Sequence, residues 1–152
     1  KIAKYNKIII FDGDLELDSL DISKLMILNK KKNILATMGY RFNYLNPLTS
    51  NFALGNFMFT IFFNIFYNSC HKDILCCAKS FYKDGIKINQ ISSNGFDIDV
   101  ELASILTIKY SNKLIPQIPI NYIRRTIDEG KKLKISDGWK ILFRIIEMIK
   151  HF

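Results

Sequence analysis

Three carboxylates stand at alternate positions in Asp12-Gly13-Asp14-Leu15-Glu16. They follow Lys7–Phe11 (KIIIF), a continuous run of β-branched and aromatic residues that suits a buried strand of a parallel sheet. Carboxylates so spaced past a strand end can converge on one hard cation, Mg²⁺ or Mn²⁺. The cation would neutralise a diphosphate and ease its departure as a leaving group. A solvated acidic turn fits the same pattern.

A second stretch with chemical potential is Arg124-Arg125-Thr126-Ile127-Asp128-Glu129-Gly130-Lys131-Lys132. Arg forks phosphate oxygens bidentately, Lys supplies a point charge, and Gly permits a tight backbone. The plain alternative is a solvated surface loop. Asp97, Asp99 and Glu101 place three further carboxylates close together, and helix-start capping accounts for one or two of them. His71 and His151 show no ligand spacing, and Cys76-Cys77 lacks the CxxC spacing of a zinc or redox site. No P-loop, GxGxxG or GxSxG motif occurs.

These groups need elements to position them. Ser19 or Asp21 can cap a helix predicted to run to about Lys31, and Asn33–Met38 reads as a second strand ending at Gly39-Tyr40-Arg41. Strand, helix, strand implies a right-handed parallel crossover. Ligands in such sheets sit beyond the carboxyl ends of the strands, where both the DGD turn and Arg41 fall.

Phe52–Tyr67 is the most apolar stretch, shorter than the ~20 residues a membrane span needs. Asn56, Thr60, Asn64 and Asn68 recur every fourth residue and form one polar stripe. Two readings are open: a buried helix whose stripe faces a polar cavity, or a helix touching lipid. Cys76–Tyr82 is predicted as a short strand and Asp97–Tyr110 as a helix. Lys113–Ile120 is predicted extended, with prolines that favour a sheet edge, and Trp139–Ile149 as a closing helix. That last helix, with Lys140, Arg144 and Lys150, could rest on an anionic surface or dock on the sheet.

Length and composition frame these elements. A chain of 152 residues that is 49% hydrophobic and 24% charged suits one globular domain, not a disordered tail, a fibre or a multi-span membrane protein. An odd number of cysteines, two of them adjacent, points to a reducing compartment. The net charge of +8 favours anionic partners. That surplus is diffuse, because 18 of the 22 cations are Lys in a chain rich in Ile, Lys and Asn. A nucleic-acid binder would interleave basic and exposed aromatic residues, whereas many of the Phe residues here sit in the apolar stretch, so no nucleic-acid partner is expected. The chain begins Lys1-Ile2-Ala3-Lys4 and enters a strand almost at once, so it is expected to be part of a longer protein.

Taken in order, the segments resemble glycosyltransferase family 2, in particular the dolichyl-phosphate mannosyltransferase and polyprenyl-phosphate glycosyltransferase group. Ile8–Asp18 (IIIFDGDLELD) looks like that group's strand ending in DxDLE. Gly39-Tyr40-Arg41-Phe42 looks like its GSRF with Tyr for Ser, and Gly55-Asn56, Phe59-Thr60 and Asn64 match its GN…LT…N helix. Asp73 to Phe81 is similar to DxxTCYKxF, agreeing at Asp73, Cys77 and Lys79 and departing at Cys76 and Ala78. Gly95–Leu102 looks like GFxxDVEL, and Pro119, Tyr122, Arg125-Thr126, Glu129-Gly130-Lys131-Lys132 and Asp137-Gly138 follow the P-Y-RT-EGKK-DG run.

The resemblance implies an α/β fold: part of a GT-A domain, a mainly parallel sheet flanked by helices, without the N-terminal strands that bind most of the nucleotide. It implies metal-dependent, inverting transfer of a sugar, mannose or glucose, from a nucleotide-diphosphate sugar to a polyprenyl or dolichyl phosphate. Asp12, Asp14 and Glu16 would hold Mg²⁺ or Mn²⁺. Asp12, Asp14, Asp73 and Arg125 are the candidate catalytic residues, and Arg41, Lys79, Glu101, Lys131 and Lys132 the candidate substrate-binding ones. The expected location is cytoplasmic, peripheral at the cytoplasmic face of a membrane. The alternatives are a family 2 transferase acting on a sugar hydroxyl, with Asp97, Asp99 or Glu101 as base, and a truncated inactive remnant.

Overall fold

The computed structural model describes residues 3–41, 51–110, 115–123 and 135–149. The RT…EGKK stretch, with Arg125, Lys131 and Lys132, lies outside the described residues.

The elements in chain order are β1 (Lys7–Ile10), α1 (Ile22–Leu25), β2 (Ala36–Tyr40), α2 (Asn51–Phe66), β3 (Lys79–Tyr82), α3 (Ile98–Lys109), β4 (Gln117–Pro119) and α4 (Ile135–Ile149). The described strands form a sheet in the order β1-β3-β2-β4. The chain is thus α/β, but the sheet is mixed and not mainly parallel. β3 pairs antiparallel with both β1 and β2, and only β2 and β4 pair in parallel. The cause is the return path: after α2 the chain re-enters the sheet from the carboxyl end of β1 and β2 and runs back between them. β1, β2 and β4 still share one direction, so their carboxyl ends meet the start of β3 at one edge.

Alternation along the strands divides the core. Ile8, Ile10, Ala36, Met38 and Phe81 face the layer that contains α2, α3 and α4, packing with Phe63, Val100, Leu106, Ile141 and Ile145. Ile9, Phe11 and Ala78 face the other side with Leu17, Leu25 and Ile120. Every residue of α3 from Val100 to Thr107 is buried, so this helix is the centre of its layer. At Gly39 the sheet closes tightly: a Cβ there would stand 2.8 Å from Ile120 Cγ1 and 2.9 Å from Ala78 Cβ.

The first helix is much shorter than its predicted reach to Lys31. It follows a 3-10 turn over Ser19–Asp21 that Asp18 caps by accepting from the Leu20 N–H, and it stops at Leu25. The Leu25 carbonyl accepts from Thr37 Oγ1 at 2.9 Å and from Ser80 Oγ at 2.6 Å. Two strand hydroxyls thereby satisfy a terminal carbonyl that further helix would otherwise use. The chain then turns through Lys30–Lys32, with Asn33 left-handed at φ 57°. The second and third strands start later than predicted, at Ala36 and Lys79, and β4 takes the predicted edge position.

Candidate functional site

The acidic turn lies just past β1. Asp12 is exposed, and Asp14 and Glu16 are half-buried. Asp14 Oδ1 accepts the Glu16 N–H at 3.1 Å, and Leu15 between them is left-handed at φ 67°. The turn is tied to the chain leaving β4: Leu17 bridges Tyr122, the Ile123 N–H donates to the Glu16 carbonyl, and the Asn121 N–H donates to buried Asp21. Strand ends distant in sequence are therefore held at the same edge.

Arg41 follows β2 at that edge. Its Nε and Nη2 donate to the two oxygens of Asp73 at 2.8 and 3.0 Å, and its backbone N–H adds a third bond. The Asn56 amide of α2 donates to Asp73 Oδ1 at 3.1 Å. The guanidinium lies 5.5 Å from the Tyr122 ring centroid, within cation–π range. Burial by itself would raise the Asp73 pKa, but the Arg41 charge and the bonds from Arg41 and Asn56 hold it below the usual range. Burial would likewise lower the Arg41 pKa, and Asp73 more than reverses this. The Asp73 side chain is fully enclosed, so its contact with any ligand passes through Arg41.

Lys79 opens β3. It shares the α3 side of the sheet with Phe81, two residues on, and its ammonium donates to Asp99 of α3 at 3.2 Å and to the Cys76 carbonyl. Asp99 is pushed above its usual pKa, chiefly by burial and further by the nearby Asp12 charge, against the opposing effects of Lys79 and Arg41. The Cys76 thiol is pushed up to about 12 and Cys77 upward as well, mainly by burial, so neither is a thiolate at neutral pH.

Not every candidate joins this edge. Glu101 is fully buried and accepts from the Ser92 and Ser93 N–H groups at 2.9 and 2.8 Å, so it anchors the loop before α3. Arg144, on a helix read as either resting on an anionic surface or docking on the sheet, is mostly buried. It donates to Asp97 at 3.0 Å and to Ser92 at 2.8 Å, and it lies 3.8 Å from Glu101. Asn56 and Thr60 of the polar stripe are buried and Asn64 is bonded inward, but Asn68 is exposed beyond the end of α2 and the helix keeps an exposed side, so it is not the buried helix of the first reading. Asn64 Nδ2 donates to the His71 carbonyl, and its Oδ1 accepts the His71 N–H, each at 2.8 Å. Asn56 and Tyr122 are outside the candidate site residues read from the sequence, and Asp99 enters that reading only as a base in the hydroxyl-transfer alternative. The four-residue stripe and the GN match both mark Asn56, but neither reveals the Asp73 partner.

Among the described residues, no group of three or more His, Cys, Asp or Glu side chains is arranged to hold a metal ion. Asp12, Asp14 and Glu16 thus form no closed cage. Their oxygens still suit Mg²⁺, which commonly takes one or two carboxylates and completes its shell with water and substrate phosphate. Among the described residues no helix is long and apolar enough to cross a membrane. No protein-family model matches the chain, and neither the curated proteins nor the solved structures searched contain a match.

Proposed function

We propose that the chain is the C-terminal part of a GT-A glycosyltransferase domain that moves a sugar, mannose or glucose, from a nucleotide-diphosphate donor to a polyprenyl phosphate. The observation that carries this reading is the meeting of three features at one sheet edge: the Asp12–Glu16 turn, the Arg41–Asp73 clamp and the Lys79–Asp99 pair. Acids and fixed cations side by side suit a reaction between two phosphorylated substrates.

An acceptor phosphate has a second pKa of about 6 and is mostly dianionic at neutral pH, so it attacks without a strong general base. Its oxygen forms the new bond to the anomeric carbon, and the bond to the departing diphosphate breaks with its electron pair. In-line displacement inverts that centre. A hard divalent ion, Mg²⁺ or Mn²⁺, held by Asp12, Asp14 and Glu16, would supply charge neutralisation for the leaving diphosphate. Arg41, oriented by Asp73, binds phosphate, as do Arg125, Lys131 and Lys132 by their place in the motif order. Lys79 offsets the carboxylates in the buried floor. The lipid acceptor locates the work at the cytoplasmic face of a membrane.

The test is Mn²⁺-dependent transfer from radiolabelled GDP-mannose and UDP-glucose to a polyprenyl phosphate. It compares this chain with a version extended through its natural upstream sequence. Transfer by the extended protein should fall at least about 100-fold in Asp12→Ala, Asp14→Ala. Transfer to a sugar hydroxyl would instead point to Asp99 as the base, and no transfer by folded, extended protein would identify an inactive remnant.

A further inference from the structure

The lysine surplus is diffuse along the sequence, but the fold gathers it. At the amino ends of β1 and β2, opposite the edge that carries Asp12 and Arg41, several lysine-bearing segments come together. They are the start of β1 with Lys4 and Lys7, the Lys30–Lys32 turn ahead of β2, and the Lys83–Gly85 turn after β3. Lys87 and Lys109 stand close to that last turn. These are eight of the twelve lysines among the described residues; all eight are exposed, and Asp84 is the single acid on these segments.

Three of the ammonium groups are held in place. Lys30 Nζ donates to Asp84 Oδ2 at 3.0 Å and lies 4.8 Å from the Tyr82 ring centroid. Lys109 Nζ donates to the Asp84 carbonyl at 2.6 Å and lies 5.9 Å from the Tyr110 centroid. Both distances to the rings are within cation–π range. Lys83 Nζ donates to the Ala3 carbonyl at 2.7 Å, and its backbone N–H donates to the Asn6 carbonyl. The turn packs down onto α3's end because residue 85 is Gly: a Cβ there would stand 2.7 Å from the Tyr110 hydroxyl. Asn6, Lys30, Lys83 and Asp84 line a cavity of about 260 Å³. An ammonium has three N–H donors, and Lys30 and Lys83 each use one in the bonds above, which leaves two on each for a ligand.

We infer that this cavity binds a compact, multiply charged phosphate group of a small molecule, a phosphomonoester or a diphosphate. Local charge selects the occupant. Asp84 already supplies the one negative charge that Lys30 needs, whereas Lys83 and Lys109 bond neutral carbonyl oxygens. A further carboxylate would match one of those two cations, while a phosphate dianion meets both at once. Nucleic acid fits less well. Tyr82 and Tyr110 are buried with lysines on their faces, so Tyr5 is the exposed aromatic left on these segments for base stacking. The inference is independent of the sugar-transfer reading. From Lys7 to Asp12 is five residues of extended chain, about 17 Å, too far for one phosphate group to touch both edges.

The experiment is a ¹H–¹⁵N NMR titration of the 152-residue chain, without divalent cations, with sodium pyrophosphate and separately with a hexaglutamate peptide. Pyrophosphate should move the Lys83, Asp84 and Gly85 amides. Lys30→Ala and Lys83→Ala, exposed changes checked by thermal melting, should each weaken that binding about fivefold. Lys140→Ala removes the same charge from an exposed position on α4 and should change it less than twofold. Three results would overturn the assignment: silent amides at 83–85, equal losses in Lys140→Ala and Lys30→Ala, or tighter binding of hexaglutamate than of pyrophosphate. The second would return the binding to overall charge, and the third would make the patch a docking surface for an acidic protein. The Arg41 amide reports the other edge in the same spectra. A response there with silent amides at 83–85 removes this site alone, and the reverse pattern keeps it and removes the phosphate role of Arg41.

Discussion

Arg41 and Arg144 are both mostly buried arginines held by carboxylates, yet their surroundings differ. Arg144 distributes its donors over Asp97, Ser92 and Glu147, with Glu101 nearby, and so joins α4 to the start of α3 and to the preceding loop. Arg41 directs two nitrogens at one enclosed carboxylate, Asp73, with Asn56 behind it. The first arrangement is a staple between elements. The second aims a guanidinium at a sheet edge that also carries Asp12 and Asp99. One ion-pair chemistry thus serves cohesion in one place and a candidate phosphate site in the other, and partner geometry separates them.

The sharpest way to break this contrast is Asp73→Ala. It leaves Arg41 buried without its counter-charge and should cost about 3–5 kcal/mol in urea unfolding. A cost below about 1 kcal/mol would mean that Arg41 is already solvated and not clamped.

His71 tests a buried titratable group with no carboxylate at all. Thr107 Oγ1 donates to the Ala103 carbonyl and therefore accepts from His71 Nε2–H, which leaves buried Nδ1 without a partner among the described residues. Burial, aided by the Lys79 charge, lowers the His71 pKa from 6.5 to about 4. Between those values the unfolded chain binds more protons than the folded one, so stability is full above pH 6.5 and declines as pH falls toward 4. The loss amounts to roughly 3 kcal/mol. Urea midpoints across this range should show that slope, and His71→Gln should flatten it. Asp73, Asp97 and Glu101, all held below their usual range, add a loss of the same sign at lower pH.

Arg144→Met should cost about 2–3 kcal/mol, somewhat less than Asp73→Ala, because Glu147 and part of Asp97 can turn to water once the cation is gone. Anion binding at the Arg41 edge, followed by calorimetry with pyrophosphate, should be unchanged. A matching loss there would merge the two networks into one. The smallest effect belongs to Lys30→Ala: the Lys30–Asp84 pair is exposed at 3.0 Å, and its removal should leave the urea midpoint unmoved at physiological salt.

Much of the fold was legible from local pattern. The runs KIIIF and DIDVELASILTIKY are a strand and a helix in the structure, and the prolines near Gln117 do mark a sheet edge. The direction of β3 was not legible, because a four-residue strand carries no record of which neighbours it will lie between. At the candidate site, the positions of Asp12 and Arg41 past strand ends could be read from the breaks after KIIIF and NILATM. The roles of Glu101 and Arg144 could not. Glu101 looks like an accessible helix-start acid until the loop of Ser92 and Ser93 folds over it, and Arg144 looks like a surface cation until α3 supplies its partners.

The sequence by itself determined what depends on near neighbours: the main helices, the position of each strand to within a few residues, the acidic turn and the four-residue polar stripe. Backbone preference and hydrophobic period act over one or two turns, so a single chain displays them. Only the tertiary structure decided the antiparallel insertion of β3, which carboxylate meets which cation, and which residues of α2 turn inward, Asn56, Thr60 and Phe63, and which stay exposed, Leu54, Met58 and Ile65 among them. Those outcomes join residues far apart, 32 positions for Arg41 and Asp73 and 47 for Arg144 and Asp97. Ion-pair strength depends on burial and separation, and both exist only once the layers have packed.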